Sequence, residues 1–200
     1  MKRLFWFTAF ALVATMNYAA GQVSTGSQRA VFAGGCLWCM QPPFDHADGV
    51  ISTLVGYAGG REENPTYKQV SAGETSHRES IEVTYDPAKI SYERLLEIFW
   101  HNINPVQPDG QFNDRGDQYM TAIFYTTEEQ KTAAELSKQQ LGASGKFKKP
   151  IATMILPATQ FWPAEEYHQK YYVKNSSAYR LYRFGSGRGG YLKATWGDAH

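Results

Sequence analysis

The sequence predicts an α+β fold, a single two-layer domain in which helices pack on a mixed β-sheet. Three observations lead to this prediction. Strand-like and helix-like segments follow one another in the order βα, β, βα, βα, βα. The length of 200 residues suits one domain. Two polar segments are longer than about 12 residues, and such long loops in a compact domain are usually functional.

The first residues have the pattern of a signal peptide. Two basic residues precede an apolar run over residues 4–16, and small residues at positions 19–21 provide a cleavage site. We therefore expect residues 1–21 to be a signal peptide, residues 22–28 to be a flexible linker and the protein to be exported, to the periplasm. The alternative is an uncleaved N-terminal anchor. After cleavage we expect no stable association with a membrane.

Three strands and two helices are predicted in the first half of the folded region. Residues 50–57 are rich in β-branched side chains, and Ile81, Val83 and Tyr85 alternate with polar residues, as in a half-buried strand. Ser91 can cap the start of a helix. The predicted elements are strands at 30–33, 50–57 and 79–85, a turn and helix at 36–47, a helix from Ser91, and a long loop at 58–73.

The second half continues the alternation up to a glycine-rich tail. Pro163 suits the first turn of a helix that runs through Tyr171. The predicted elements are a long loop at 104–118, strands at 119–125 and 151–156, and helices at 127–141 and 163–171. We expect the folded domain to span residues 29–175, and the Gly-rich C-terminal tail, residues 176–200, to be irregular.

The most informative feature is the pair Cys36 and Cys39. They are the only two cysteines of the chain, three positions apart, and they follow a strand and the turn Gly34-Gly35. Backbone N–H groups and the helix dipole favour a thiolate at the start of a helix. We therefore expect Cys36 to be the thiol with the lower pKa and Cys39 to be its partner on the same helix face.

Three interpretations of the cysteine pair are open. A zinc site would need two more ligands, and the five histidines show no paired spacing. A structural disulfide fits an oxidising compartment, but so short a loop restrains little of the unfolded chain. A redox-active pair is the interpretation that we favour. We expect neither a bound metal nor a bound cofactor.

Glu79 is a candidate acid, since it lies where a polar loop enters a predicted strand. Burial there would raise the pKa of the carboxyl, which would then donate a proton near neutral pH. A glutamate in such a position is more often a solvated charge. The formal net charge of +1 gives no reason to expect a nucleic-acid partner. Nothing indicates oligomerisation, so we expect a monomer.

Seven motifs follow one another along the chain. They are Gly35-Cys36-Leu37-Trp38, Gly56-Tyr57-Ala58-Gly59-Gly60, Asn64-Pro65-Thr66-Tyr67, Ser76-His77-Arg78-Glu79, Tyr85-Asp86-Pro87, Asn113-Asp114-Arg115-Gly116-Asp117-Gln118-Tyr119 and Glu165-Glu166-Tyr167-His168-Gln169. In this order they make the chain resemble the peptide methionine sulfoxide reductase A family over about residues 29–175. The resemblance implies reduction of methionine S-sulfoxide, free and in proteins, at an active site formed by long loops. For the last motif we expect only that Glu165 or Glu166 accepts a hydrogen bond that orders an active-site loop.

The resemblance also implies a role for each site residue. Cys36 would attack the sulfoxide sulfur, and Glu79 would protonate the sulfoxide oxygen, since the oxygen is a poor leaving group until it is protonated. The product thioether would leave, and Cys36 would become a sulfenic acid. The implied substrate-binding residues are Tyr67 and Tyr119 as hydrogen-bond donors to the oxygen, Asp114 as an ordering residue, and Trp38 and Leu37 as walls of the methyl pocket.

The chain departs from the family pattern in two ways. Leu37 stands where the family usually has Phe, so recognition of the methyl group is expected to be looser. Many members recycle through cysteines near the C-terminus, whereas this chain has no cysteine after Cys39. It therefore looks like the subgroup with the resolving cysteine inside the active-site motif. We expect a Cys36–Cys39 disulfide after each turnover, which an external thioredoxin-like dithiol must reduce.

Two other functions remain as alternatives. An exported thioredoxin-like dithiol oxidoreductase would share the strand–Cys-x-x-Cys–helix arrangement, but this chain lacks Trp-Cys-Gly-Pro-Cys, and that function gives Glu79 no role. An exported methionine-binding module with a fixed disulfide would bind its ligand without consuming reductant.

Overall fold

The computed structural model of the protein describes residues 26–197. The predicted signal peptide, residues 1–21, lies outside the described residues, as does most of the predicted linker. The last residue of that linker, Gln28, belongs to the sheet instead. It begins the first strand, where it pairs with Tyr85, and its side chain accepts a hydrogen bond of 2.8 Å from the Tyr85 hydroxyl.

Fifteen helices and strands follow in the described part of the chain. The strands are β1 (Gln28–Ala33), β2 (Val50–Ala58), β3 (Arg78–Tyr85), β4 (Gly110–Gln111), β5 (Asp114–Arg115), β6 (Ala122–Tyr125), β7 (Met154–Pro157) and β8 (Trp162–Pro163). The helices are α1 (Leu37–Asp45), α2 (Tyr67–Ser71), α3 (Tyr92–His101), α4 (Glu128–Ala143), α5 (Tyr171–Lys174), α6 (Ser176–Gly185) and α7 (Arg188–Trp196). None of these helices is long and apolar enough to cross a membrane.

The main sheet is mixed and has the strand order β7-β6-β1-β3-β2-β8. Every neighbouring pair in it is antiparallel except β6 and β7, which are parallel. Strands β4 and β5 form a separate antiparallel pair. The predicted α+β class with a mixed sheet is confirmed.

Alternation along the strands divides the apolar side chains between the two faces of the sheet. Phe32 faces the helices, where its ring stacks on Phe44 of α1 at 5.3 Å and on Phe99 of α3 at 5.2 Å. The neighbouring Val31 points to the opposite face and packs in a smaller cluster with Phe124. The main core therefore lies between the sheet and the helices, and it fixes α1 on the sheet.

Both predicted long loops contain regular structure. The first includes α2, which begins at a capping box. The Thr66 side chain accepts a hydrogen bond from the Gln69 N–H, and the Gln69 side chain accepts one from the Thr66 N–H. The second loop contains the β4–β5 pair and a 3₁₀ turn at Asp117–Tyr119, so strand β6 begins later than predicted.

The predicted helix from Pro163 to Tyr171 is wrong. Residues Trp162 and Pro163 form the edge strand β8, because they pair with Tyr57 and Gly56 of β2. An edge strand is where a sheet tolerates a proline, which lacks the N–H donor. A 3₁₀ turn at Glu166–His168 follows, and helix α5 begins only at Tyr171.

The predicted irregular tail is also wrong, because it forms α6 and α7. Gly187 has φ +79, a left-handed conformation that favours glycine, and it separates the two helices. Gly185, Gly189 and Gly190 lie within the helices, where their low helix propensity is overcome by packing against the domain. The buried side chains of Tyr179 and Leu192 make part of that packing.

Candidate active site

A glycine turn places Cys36 at the start of α1. Gly35 has φ +79, and a Cβ atom there would lie only 2.5 Å from the Gln111 Cβ, so this position requires glycine. Cys36 is the N-cap residue of α1, and its side chain makes no capping hydrogen bond. Cys36 and Cys39 are free thiols, 5 % and 3 % exposed.

Glu79 is a buried carboxyl held against the start of α1. It is 3 % exposed, and its Oε2 accepts a hydrogen bond of 2.9 Å from the Leu37 N–H. Burial raises the pKa of Glu79 to about 8, the Leu37 hydrogen bond opposes this, and the charges of Asp114 and Cys39 add to the rise. Glu79 therefore carries its proton at neutral pH.

The two thiols have the opposite order of acidity from the one that the sequence suggests. Burial raises the pKa of Cys36 well above its usual value, and the hydrogen bond and charge of Cys39 and the charge of Glu79 act in the same direction. The hydrogen bond with Cys36 lowers the pKa of Cys39 to about 7, despite burial, with help from Arg188 and Arg183. The lower pKa expected for Cys36 is not found, because burial raises it most and the neighbouring Cys39 raises it further.

Tyr67 and Tyr119 enter the site from the two long loops. Burial raises the pKa of both phenols, and the charges of Glu79 and Cys36 contribute to both rises. Both hydroxyl groups are therefore protonated donors near the carboxyl and the thiol. The Tyr67 N–H donates a hydrogen bond of 2.9 Å to Glu165, which also accepts one from the Tyr57 hydroxyl.

Trp38 forms an aromatic wall beside the thiols. Its ring stacks on Tyr171 with centroids 4.0 Å apart, and its indole N–H donates to the His168 Nδ1 at 2.9 Å. The His168 ring also lies against Tyr67, with centroids 4.1 Å apart. A continuous aromatic surface thus joins α1, α2 and the segment before α5.

Leu37 lies directly beside the nucleophile, at the start of α1. Its side chain is 1 % exposed and packs in the main core, against which Trp38 also packs. Its backbone N–H reaches the site, where it donates a hydrogen bond to Glu79. Its role as a wall of the methyl pocket stays a prediction.

Asp114 is held by a residue that the sequence did not single out. The Tyr182 hydroxyl of α6 donates a hydrogen bond of 2.5 Å to the Asp114 Oδ2. The Tyr182 hydroxyl also lowers the pKa of the Cys36 thiol, and its ring packs edge-on against Trp38 at 5.5 Å. The only sequence signal was the spacing of Tyr179 and Tyr182, which places both rings on one face of a helix.

The structure thus brings together the predicted site residues Cys36, Trp38, Cys39, Tyr67, Glu79, Asp114 and Tyr119, and Leu37 adds its backbone N–H. Glu165, His168, Tyr171 and Tyr182 join them. Among the described residues, no group of three or more His, Cys, Asp and Glu side chains could hold a metal ion. The buried site therefore contains a nucleophile, an acid that is protonated at neutral pH, and phenol hydrogen-bond donors. Such a site suits a reaction in which a thiol attacks the substrate while a polar, weakly basic oxygen of the substrate is protonated.

Comparison with known proteins gives the family. Residues 28–200 match the family described as Peptide methionine sulfoxide reductase. The chain is 53% identical to peptide methionine sulfoxide reductase MsrA of Bacillus licheniformis, over 86% of this chain and 94% of that protein. It is 54% identical to the enzyme of the same name from Halalkalibacterium halodurans, over 85% of this chain and 97% of that protein.

Solved structures agree with the sequence comparison. The crystal structure of reduced Mxr1 from Saccharomyces cerevisiae superimposes with a TM-score of 0.72 at 29% identity, covering 76% of this chain and 88% of that one. The predicted family resemblance is confirmed: the chain belongs to the peptide methionine sulfoxide reductase A family.

Proposed function

We propose that this chain reduces methionine S-sulfoxide, free and in proteins, to methionine, with Cys36 as the nucleophile and Glu79 as the acid. The family gives the reaction. The single observation that supports the assignment of residues is the buried Glu79 carboxyl, with its pKa raised to about 8 and held by the Leu37 N–H beside the Cys36 thiol. A sulfoxide oxygen needs such a proton before it can leave.

The protons of the site balance through the first step. Glu79 gives its proton to the sulfoxide oxygen, while Tyr67 and Tyr119 donate hydrogen bonds to it. The Cys36 sulfur bonds to the substrate sulfur as its thiol proton passes to the Glu79 carboxylate. The protonated oxygen then moves to Cys36, which becomes a sulfenic acid, and methionine leaves as the reduced thioether. Trp38 provides an apolar contact for the substrate methyl group.

Cys39 completes the cycle in this proposal. Its thiolate attacks the Cys36 sulfenic acid, a Cys36–Cys39 disulfide forms, and the oxygen leaves as water. The support is the hydrogen bond between the two thiols and a Cys39 pKa of about 7. An external dithiol, which we propose to be a thioredoxin-like protein, then supplies two electrons to restore both thiols. No bound cofactor is required, and we propose that the protein acts as a monomer.

We further propose that the protein is exported to the periplasm. The support is the basic and then apolar N-terminal sequence with small residues at positions 19–21. N-terminal sequencing of the protein recovered from the producing cells should give Gln22 as the first residue. An intact N-terminus in a membrane fraction would instead indicate an anchor.

One single-turnover experiment tests the enzymatic proposal. Reduced residues 22–200 receive one equivalent of methionine S-sulfoxide without added reductant, and mass spectrometry follows the protein. We expect one methionine per chain and a loss of about two mass units localised to Cys36–Cys39. Methionine together with a stable gain of about 16 mass units would remove the resolving role of Cys39. No methionine at all would contradict the proposed reaction and favour a dithiol exchanger.

A further inference from the structure

A buried arginine from the last helix lies against the active-site turn. Arg188, the first residue of α7, is 1 % exposed. Its guanidinium donates hydrogen bonds to the Gly34 carbonyl at 2.9 Å and to the Asn102 carbonyl at 2.5 Å, and it lies 3.6 Å from the Met40 sulfur. Gly34 precedes Cys36 and Cys39 in the chain, and Met40 follows them directly, so Arg188 contacts the active-site turn on both sides of the two cysteines.

The charge of Arg188 is not neutralised by a carboxylate. None of the ion pairs found between described residues includes it. Its other close neighbour is the Phe112 ring, 4.6 Å away. Burying an unpaired cation is unfavourable, and a cation at the N-terminus of a helix opposes the helix dipole. The two carbonyls and the ring offset part of this cost but supply no negative charge, which a thiolate formed during the reaction would supply.

We propose that Arg188 is a positioning residue that stabilises the thiolate of Cys39 for its attack on the Cys36 sulfenic acid. This inference rests on the proposed function, in which Cys39 is the resolving cysteine. In that step the Cys39 thiolate forms a bond to the Cys36 sulfur, the S–O bond breaks, and the hydroxide takes up a proton and leaves as water. The charge therefore acts on Cys39 before the bond forms, and the two hydrogen bonds hold the turn in place.

The surroundings of Cys39 contain several other charged or titratable groups. They are Cys36 on the same helix, Glu79 on β3, Asp114 on β5, Tyr179, Tyr182 and Arg183 on α6, and His46, Arg94, His101 and Tyr172 around a groove of about 490 Å³ that reaches Cys39. After the hydrogen bond from Cys36, the charges of Arg188 and Arg183 are what lower the pKa of Cys39, and Asp114 opposes them. Arg188 is the cation of this set that is hydrogen-bonded to the active-site turn.

The first test measures the pKa of Cys39 directly. In a Cys36→Ala protein Cys39 is the only thiol, so absorbance at about 240 nm reports its thiolate alone. We compare Arg188→Gln, which retains hydrogen-bond donors without the charge, Arg188→Met, which retains volume, and Arg188→Lys, which retains charge. Arg180→Gln, on an exposed side chain of α6, is the matched control.

We expect both neutral variants to raise the pKa of Cys39 by about 1 or more, since that is the usual effect of losing a nearby opposite charge. The lysine and control variants should stay within a few tenths of the parent. An unchanged pKa in a folded neutral variant would overturn the proposal. So would a rise of about 1 or more with Arg188→Lys, since charge would then not be the cause, and this second outcome does not depend on the neutral variants folding.

The second test separates this inference from the proposed function. In the chain with both cysteines, a single turnover gives the rate of methionine formation and, separately, the rate of disulfide formation. We expect Arg188→Gln to slow disulfide formation relative to methionine formation by about fivefold or more at pH 7, with recovery at pH 9, where Cys39 ionises without help. An unchanged ratio overturns the role of Arg188, whereas absence of methionine in the wild-type protein overturns the proposed function.

Discussion

At the scale of single residues, the proton on Glu79 decides what chemistry the site can perform. The carboxyl lies at the start of β3, where pairing of Glu79 with Tyr57 of β2 holds its backbone inside the sheet. The Leu37 N–H stabilises the carboxylate, but burial has the larger effect, and the pKa rises to about 8. At pH 7 the group is consequently a donor, as a sulfoxide oxygen requires.

Replacing Glu79 by Gln should remove the proton and leave the shape of the site unchanged. We expect the rate of methionine formation to fall by about 10²–10⁴-fold, the usual contribution of a positioned acid. Exchange of the Cys36–Cys39 disulfide with dithiothreitol should change by less than about threefold, because exchange needs no acid at this position. Glu97→Gln, on an exposed carboxylate of α3, is the matched control. A Glu79→Gln protein with more than about a tenth of wild-type turnover would contradict the role.

The raised pKa of Glu79 also predicts how stability depends on pH. In the unfolded chain a glutamate ionises near pH 4.3, about four units below the folded value. Between those two pH values the unfolded state releases the proton and the folded state keeps it, so the contribution of Glu79 to stability falls as pH rises towards about 8.

The Tm difference between Glu79→Gln and the wild type tests this relation. Glutamine does not ionise and still offers an oxygen to the Leu37 N–H, so the variant should gain stability relative to the wild type as pH increases from 5 to 8. Both proteins should be compared in the reduced state. A difference that stays constant over this range would show that Glu79 titrates normally.

At the scale of elements, the short helix α2 positions Tyr67 in the site. Five residues are too few for a helix that is stable alone, so its caps and contacts determine whether it forms. Thr66 and Gln69 cap its start, and Glu165 binds the N–H of its first residue, Tyr67. These contacts hold α2 in place, and α2 in turn positions the Tyr67 phenol, a hydrogen-bond donor of the site.

Replacing Thr66 by Ala should separate this positioning role from simple stability. Loss of the capping hydrogen bond should lower the free energy of unfolding by about 1 kcal/mol. It should also lower kcat/KM for the sulfoxide by several-fold, because Tyr67 is then held less well. Ser91→Ala removes the equivalent cap of α3 and should lower stability similarly without the kinetic effect. Equal kinetics in the two variants would contradict the positioning role of α2.

Local sequence patterns predicted elements that are determined by alternation of apolar residues or by a capping side chain. Alternation predicted β3, and Ser91 predicted the start of α3, where its side chain accepts a hydrogen bond from the Arg94 N–H. The capping box of Thr66 and Gln69 was also present in the sequence, but residues 58–73 were predicted to be a loop and α2 was missed. Strand β8 had no local signal, because it depends on pairing with β2, where a Cβ on Gly56 would lie 2.2 Å from the Trp162 carbonyl oxygen.

At the scale of the whole molecule, the two C-terminal helices are part of the site. Tyr179 packs in one cluster with Cys36 and Cys39, Tyr182 binds Asp114, and Arg188 binds the active-site turn. Motifs between residues 35 and 169 identified the chemistry, but the glycines after residue 175 led to the prediction of an irregular tail instead of these helices. The acidity of the two thiols was equally hidden, because burial and distant charges determine it.

Removal of residues 176–200 should affect both the stability of the domain and the accessibility of its two thiols. We expect a lower Tm and a markedly faster reaction of both cysteines with iodoacetamide, about tenfold or more, since their cover is gone. Leu181→Ala, an exposed position on α6, should change neither quantity and serves as the control. Unchanged thiol reactivity in the truncated chain would show that α6 and α7 do not shield the pair.

The position of these helices at the end of the chain also gives the protein an order of assembly. Synthesis proceeds from the N-terminus, so the two thiols emerge some 150 residues before the arginine that lies over them. Until then they are open to any oxidant that the growing chain meets. With two cysteines only one intramolecular disulfide is possible. Oxidation at that stage therefore gives the same Cys36–Cys39 disulfide as the proposed catalysis, and no mispaired disulfide has to be isomerised.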